Sequence, residues 1–202
     1  RIGLEGASDR EATIFYTALY HASLSPNLIS DVDGAYWRRG AAAALPLPAV
    51  QQFLGLGHLP AQHPLLLLTA PAQSADMVNS LVSRHTVAGL ELPVWECLGH
   101  DNICMIGYST VPILADAILK GVPGIDVEGA YRAMCHAATS NDKHSQTYGP
   151  CGMDHYLRWN FVPAEIGCSV SKTTEYNYYD WTISRVARLL GRRGERAASS
   201  EV

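Results

Sequence analysis

Apolar residues recur at helical spacing along most of this chain, and polar or Gly/Pro-rich breaks separate the runs. Residues 10–23 carry Ile14, Phe15, Ala18, Leu19 and Ala22 at that spacing and stop at Ser25-Pro26-Asn27. A loop with Asp31 and Asp33 before Gly34 follows. The period returns at His63-Pro64-Leu65 and continues to about His85, placing Leu67, Leu68, Met77, Val78, Leu81 and Val82 inward. Residues 111–119 predict a third helix, ended by Lys120-Gly121-Val122-Pro123. Asp126 caps a fourth over residues 127–138, and residues 169–190 predict a fifth, with Ser171 as its cap and Gly191 as its stop. Residues 141–168, rich in Gly, Pro and Tyr, predict a long loop, and the polar tail over 192–202 predicts fraying. Alternating strand pattern is scarce. Apolar helices joined by polar loops predict an all-α fold, a helical toroid or bundle.

Composition narrows the function classes. The chain has 202 residues, 48% of them hydrophobic, and a net charge of −4, which excludes a disordered tail and a nucleic-acid binder. Arg185, Arg188, Arg192, Arg193 and Arg196 form its one basic cluster, at a helix C-terminus where cations suit the dipole. No apolar run approaches the roughly 18 residues of a membrane span. Residues 1–20 lack the order of a signal peptide, and Arg1-Ile2-Gly3-Leu4 reads as a start inside a gene or domain. Cysteines stand at 97, 104, 135, 151 and 168 without C-x-x-C spacing. Cys97, His100 and Cys104 are the nearest approach to a metal set, but a fourth ligand is missing, so these are ordinary thiols. A cysteine hydrolase pairing Cys97 or Cys104 with His100 or His155 lacks any nucleophile motif.

The most informative stretch is Leu92-Pro93-Val94-Trp95-Glu96. An aromatic and a carboxylate end a short apolar run there and open onto a Gly/His/Asp/Asn-rich loop, ahead of Cys104-Met105-Ile106-Gly107-Tyr108 and a helix. Trp95 can stack on the apolar face of a sugar, and Glu96 can accept hydrogen bonds from its hydroxyls. A core role for Trp95 is the competing reading. Elsewhere His63 reads as a structural histidine at a helix start, and Asp31 and Asp33 as turn or cap residues. Glu175 and Asp180, on a helix bearing Tyr176, Tyr178, Tyr179 and Trp181, read as structural hydrogen-bonding groups.

The stretch from Leu92 to Gly121 closely resembles glycoside hydrolase family 92, the calcium-dependent exo-acting α-mannosidases. Phe15-Tyr16-Thr17-Ala18-Leu19-Tyr20-His21, Asp31-Val32-Asp33-Gly34, His63-Pro64-Leu65-Leu66 with Asp76-Met77-Val78-Asn79-Ser80-Leu81, and Ser169 through Glu175-Tyr176 to Asp180-Trp181 resemble the same family in order and spacing. The resemblance implies part of an (α/α)6 toroid and an inverting α-mannosidase acting on glycan or mannan α-mannosides. Inversion needs a general acid and a general base about 6.5–9.5 Å apart. The resemblance places the acid, the base and the calcium ligands beyond Val202, so it implies no catalytic and no metal residue within this chain, only Trp95 and Glu96 on the substrate side. Calcium is the implied cofactor, and a secreted or periplasmic parent the implied location. The polar loop Gly99-His100-Asp101-Asn102 departs from the family pattern. A non-catalytic carbohydrate-binding or structural helical piece is the alternative.

Residues 35–60 do not fit. Ala41-Ala42-Ala43-Ala44 and Leu45-Pro46-Leu47-Pro48 are monotonous, and Leu54-Gly55-Leu56-Gly57-His58-Leu59-Pro60 has no period. Codons for that last heptad can be chosen so that a reading begun one base later gives Ser-Ala-Trp-Asp-Thr-Phe-Arg. This resembles the family's aromatic-acidic motif before His-Pro-Leu-Leu. The segment is therefore expected to be translated out of frame, with the frame restored at Ala61, and to pack as an irregular element with few buried contacts.

Overall fold

The computed structural model describes residues 2–33, 35–38, 41–44, 50–51, 61–86, 91–97, 100–101, 104–140 and 151–192. Among them are helices α1 (Asp9–Ala22), α2 (Gln62–Thr69), α3 (Pro71–Thr86), α4 (Thr110–Leu119), α5 (Val127–Ala137), α6 (Met153–Trp159) and α7 (Ser169–Leu189). Short strands pair between them: β1 (Asn27–Leu28) with β4 (Val50–Gln51), β2 (Ala35–Arg38) with β3 (Ala41–Ala44), and β5 (Glu96–Cys97) with β6 (His100–Asp101), all antiparallel. The fold is mainly helical, in accord with a partial helical toroid.

α4 is the axis of the packing. Its residues from Thr110 to Ala115, with Ala117 and Ile118, are all buried, as befits a helix that is apolar on every side. α7 lies against it through Tyr176, Tyr179, Ile183 and Val186, α3 through Val78, Leu81 and Val82, and α5 through Ala130 and Met134. Asn79 fastens α3 to the loop before α5: its Nδ2 donates to the Gly124 carbonyl at 2.7 Å and its Oδ1 accepts from the Asp126 amide at 2.9 Å. Asp126 in turn caps α5, accepting from the Gly129 amide at 2.9 Å.

Local chemistry explains the helix ends. Ser8 and Glu11 close a reciprocal capping box at α1, the Ser8 amide donating to the Glu11 carboxylate at 2.9 Å. Gly121 and Gly191 adopt left-handed φ of 68° and 71° after α4 and α7. Each is followed by a Schellman pair of bonds, Val122 N–H to the Ala117 carbonyl at 3.2 Å and Arg192 N–H to the Ala187 carbonyl at 2.9 Å.

Several sequence expectations need correction. The single helix over 63–85 is two helices, because Pro71 begins a new one and Ala70 between them leaves helical geometry (φ −147°, ψ 61°). The break resets the phase, so Leu68 points outward with 81% exposure. Ser171 does not cap the last helix. The N-cap position belongs to Cys168 at a left-handed φ of 60°, without a side-chain bond. The loop expected over 141–168 contains α6, while residues 141–150 lie outside the described residues. Of the tail expected to fray, Arg192 is held, its guanidinium meeting Glu128 at 2.5 Å and lying over the Tyr131 ring at 4.9 Å, while residues 193–202 lie outside the described residues. In 35–60 the backbone pairs of β2, β3 and β4 replace part of the expected irregular course, and the side chains of 36–60, with most of that segment, lie outside the described residues.

Candidate functional site

The site is built where the 92–97 segment meets the start of α4. Leu92, Pro93 and Val94 are buried, and the Thr110 hydroxyl donates to the Pro93 carbonyl. Burial ends one residue later. Trp95 is half-buried, and the chain then leaves the core as β5, with Glu96 opposite Asp101 and Cys97 opposite His100. The anchored apolar residues thus fix where Trp95 emerges, at the edge of the loop. The backbone of Glu96 is described and its side chain is not, and the side chains of Cys97, His100 and Asp101 lie equally outside the described residues.

Where the chain turns into α4 lies an aromatic layer. Gly107, at φ 72°, makes the turn into Tyr108 and sits so close to α7 that a Cβ there would meet Tyr179 Cε2 at 2.8 Å. Tyr108 packs edge-on to Tyr179 with ring centroids 4.8 Å apart and against Tyr176 at 5.2 Å, and Tyr156 of α6 meets Tyr176 at 5.3 Å. Asp180, 3% exposed, accepts from the Tyr108 hydroxyl at 2.8 Å and from the Tyr156 hydroxyl at 3.1 Å. Burial, and then the Asp180 carboxylate, push the Tyr108 phenol well above its ordinary range, so it remains a protonated donor. Burial, followed by Glu175 one turn earlier, raises Tyr179 in the same sense.

Asp180 is therefore a structural acceptor, as the sequence led us to expect, and not an acid held ready for transfer. His63 is buried at the first turn of α2. Asp31 accepts from the Val32 amide at 2.7 Å and Asp33 from the Ala35 amide at 2.9 Å, so both are turn residues. Tyr178 and Trp181 lie outside the layer, stacked on each other at 6.1 Å with Trp181 55% exposed. The sequence reasoning missed Tyr156 and Met153, both fully buried, because Gly and Pro around α6 masked a seven-residue helix. Their i, i+3 spacing was the available signal. Among the described residues no three His, Cys, Asp or Glu side chains gather as a metal site. With Asp180 held by two phenols and Asp31 and Asp33 by backbone amides, these carboxylates do not fit a calcium cage.

A helical scaffold whose sealed apolar segment brings Trp95 half-buried to a loop edge is the class of module from which helical glycoside hydrolase domains are built. The comparisons make the assignment specific. The chain matches the model of the glycosyl hydrolase family 92 catalytic domain over residues 1–200. It belongs to that family. A solved family 92 α-mannosidase from Bacteroides thetaiotaomicron is similar at 33% identity and a TM-score of 0.82, over 92% of this chain and 25% of that one. The same enzyme in complex with mannoimidazole matches at 33% identity and a TM-score of 0.79, over 88% of this chain and 23% of that one. A family 92 inverting mannosidase from that organism matches at 30% identity and a TM-score of 0.85, over 95% and 26%. The chain thus spans about a quarter of the length of these relatives. No curated protein matches it.

Proposed function

We propose that this chain is one part of the catalytic domain of an exo-acting α-mannosidase that releases mannose from α-mannoside glycans with inversion. The observation that carries the reading is the 33% identity, maintained over 92% of the chain, to a solved family 92 α-mannosidase. That the same relative binds mannoimidazole supports a mannoside substrate. The similarity to a relative described as an inverting mannosidase supports the stereochemistry. In this reading Trp95 supplies a stacking face for mannose and Glu96 accepts hydrogen bonds from its hydroxyls, held in place by the buried Leu92, Pro93 and Val94. The general acid, the general base and the ligands of the calcium ion come from parts of the domain outside this chain, and the parent works outside the cytoplasm. Ile14, Leu68, Val170 and Trp181, each more than half exposed, suit faces that the rest of such a domain covers.

The test is Trp95→Ala in the complete enzyme. Loss of the stacking face should lower kcat/KM on a mannoside by at least about tenfold, or about 1.4 kcal/mol of transition-state stabilisation. An unchanged kcat/KM with an unchanged melting temperature would remove Trp95 from the site.

A further inference from the structure

Glu91 opens the segment that leads to Trp95, and the end of α5 clasps its carboxylate. Its Oε1 meets Nε2 of His136 at 2.8 Å and accepts from the Ser140 hydroxyl at 3.1 Å. An ionised carboxylate only accepts, so the His136 Nε2 carries the proton in this bond. Both donors reach one side of α5 because the Ser140 amide still bonds the His136 carbonyl, at 2.9 Å, which sets the pair one helical turn apart. The His136 ring also lies against that of His85, in the last turn of α3, with centroids 4.7 Å apart and planes inclined by 38°. The ring that meets Glu91 is thus backed by a second helix.

The Glu91–His136 pair is 48% exposed on each side, so it adds little to stability. Its place in the chain gives it another effect. Two residues on, the Pro93 carbonyl accepts from the Thr110 hydroxyl at the start of α4. Leu92 and Val94, each 4% exposed, are sealed in the core on either side of Pro93. The segment is thereby tied at Glu91 to α5 and at Pro93 to α4. Two ties on different helices fix a direction as well as a point. Trp95 emerges two residues past the second tie, half-buried. We propose that Glu91 is a positioning residue, which through His136 and Ser140 sets the angle at which Trp95 leaves the core. Its value for turnover rests on the reading of Trp95 as the stacking face for mannose, because a displaced ring loses contact with the sugar in the transition state.

The test replaces Glu91 in the complete enzyme, with every tryptophan carried as fluorotryptophan so that fluorine NMR reads each ring. The Trp95 resonance is identified by its loss in Trp95→Phe. Glu91→Ala and His136→Ala should each shift it, while Trp159 and Trp181 stay unmoved and the melting temperature holds within about 2 °C. Glu91→Gln, whose amide oxygen still accepts from both donors, should leave the Trp95 resonance in place. On a mannoside, Glu91→Ala should lower kcat/KM about threefold and Glu91→Gln by less than about 1.5-fold. Added to Trp95→Ala, Glu91→Ala should cost less than about 1.5-fold, since a missing ring cannot be displaced. Where Glu91→Ala does not fold, His136→Ala and Ser140→Ala, which keep the carboxylate, decide by the same resonance. A Trp95 resonance that these variants do not move would overturn the proposal. So would Trp159 and Trp181 shifting along with it, or a threefold loss that persists without the Trp95 ring. A Trp95→Ala enzyme with unchanged kcat/KM would strike the stacking role instead, and the fluorine resonances would still decide whether Glu91 positions the ring.

Discussion

Gly107→Ala tests whether the aromatic layer is as closely packed as its geometry implies. Two costs should add at this position. The backbone sits at φ 72°, where an alanine pays about 1 kcal/mol that glycine does not. The new methyl also lies 2.8 Å from Tyr179 Cε2 and 3.2 Å from Tyr176 Cε1, both on fully buried rings with no room to swing away. Overpacking of a filled core typically costs about 1–3 kcal/mol, so the total should be about 2–4 kcal/mol. Gly121→Ala separates the two terms, since Gly121 has nearly the same φ of 68° and open space where its Cβ would go. That variant should lose only about 1 kcal/mol. Urea unfolding of the three proteins, followed by far-UV circular dichroism, measures both. Costs for the two variants that agree within about 0.5 kcal/mol would refute the reasoning, showing that the tyrosine rings yield without penalty.

Three further outcomes follow from the same layer and its setting. Asp180→Ala strands two buried phenols and should cost about 2–5 kcal/mol in the same unfolding experiment, whereas Tyr156→Phe should cost about 1 kcal/mol. Tyr108, Tyr176 and Tyr179 all have pKa values raised by burial. They stay protonated in the folded chain while unfolded tyrosines ionise near pH 10, so their contribution is intact below that pH and lost above it. Stability should therefore fall by up to about 1.4 kcal/mol per pH unit for each phenol, seen as a melting temperature that drops steeply between about pH 10 and 11 and is flat between about 7 and 9. The 202-residue chain by itself should release no mannose from an aryl mannoside, with calcium or with chelator, because inverting hydrolysis needs an acid and a base together. Calcium-dependent release above a matched blank would place that pair within this chain.

Periodicity made the helical class, the apolar α4, the Asp126 cap and the Gly121 and Gly191 stops legible, because each depends on neighbours within a turn or two. It failed at Ala70, where a proline one residue on was compatible with either a kink or a fresh start, and at α6, whose two buried anchors are too few to show a period. The Trp95-Glu96 edge was legible as a pattern change from apolar to polar. That Trp95 emerges half-buried beside residues sealed into the core is a matter of packing, which no local pattern encodes.

The sequence by itself determined the family, the all-α class and the residues at the loop edge, since these rest on residue order, spacing and short-range backbone chemistry. Only the tertiary structure decided that Asp180 is held by Tyr108 and Tyr156 and that Asn79 fastens α3 to the turn before α5. These partners stand as far as 72 positions apart in the chain. The reason is energetic: a buried polar group must find its partner wherever folding brings one, and local sequence carries no record of that distance.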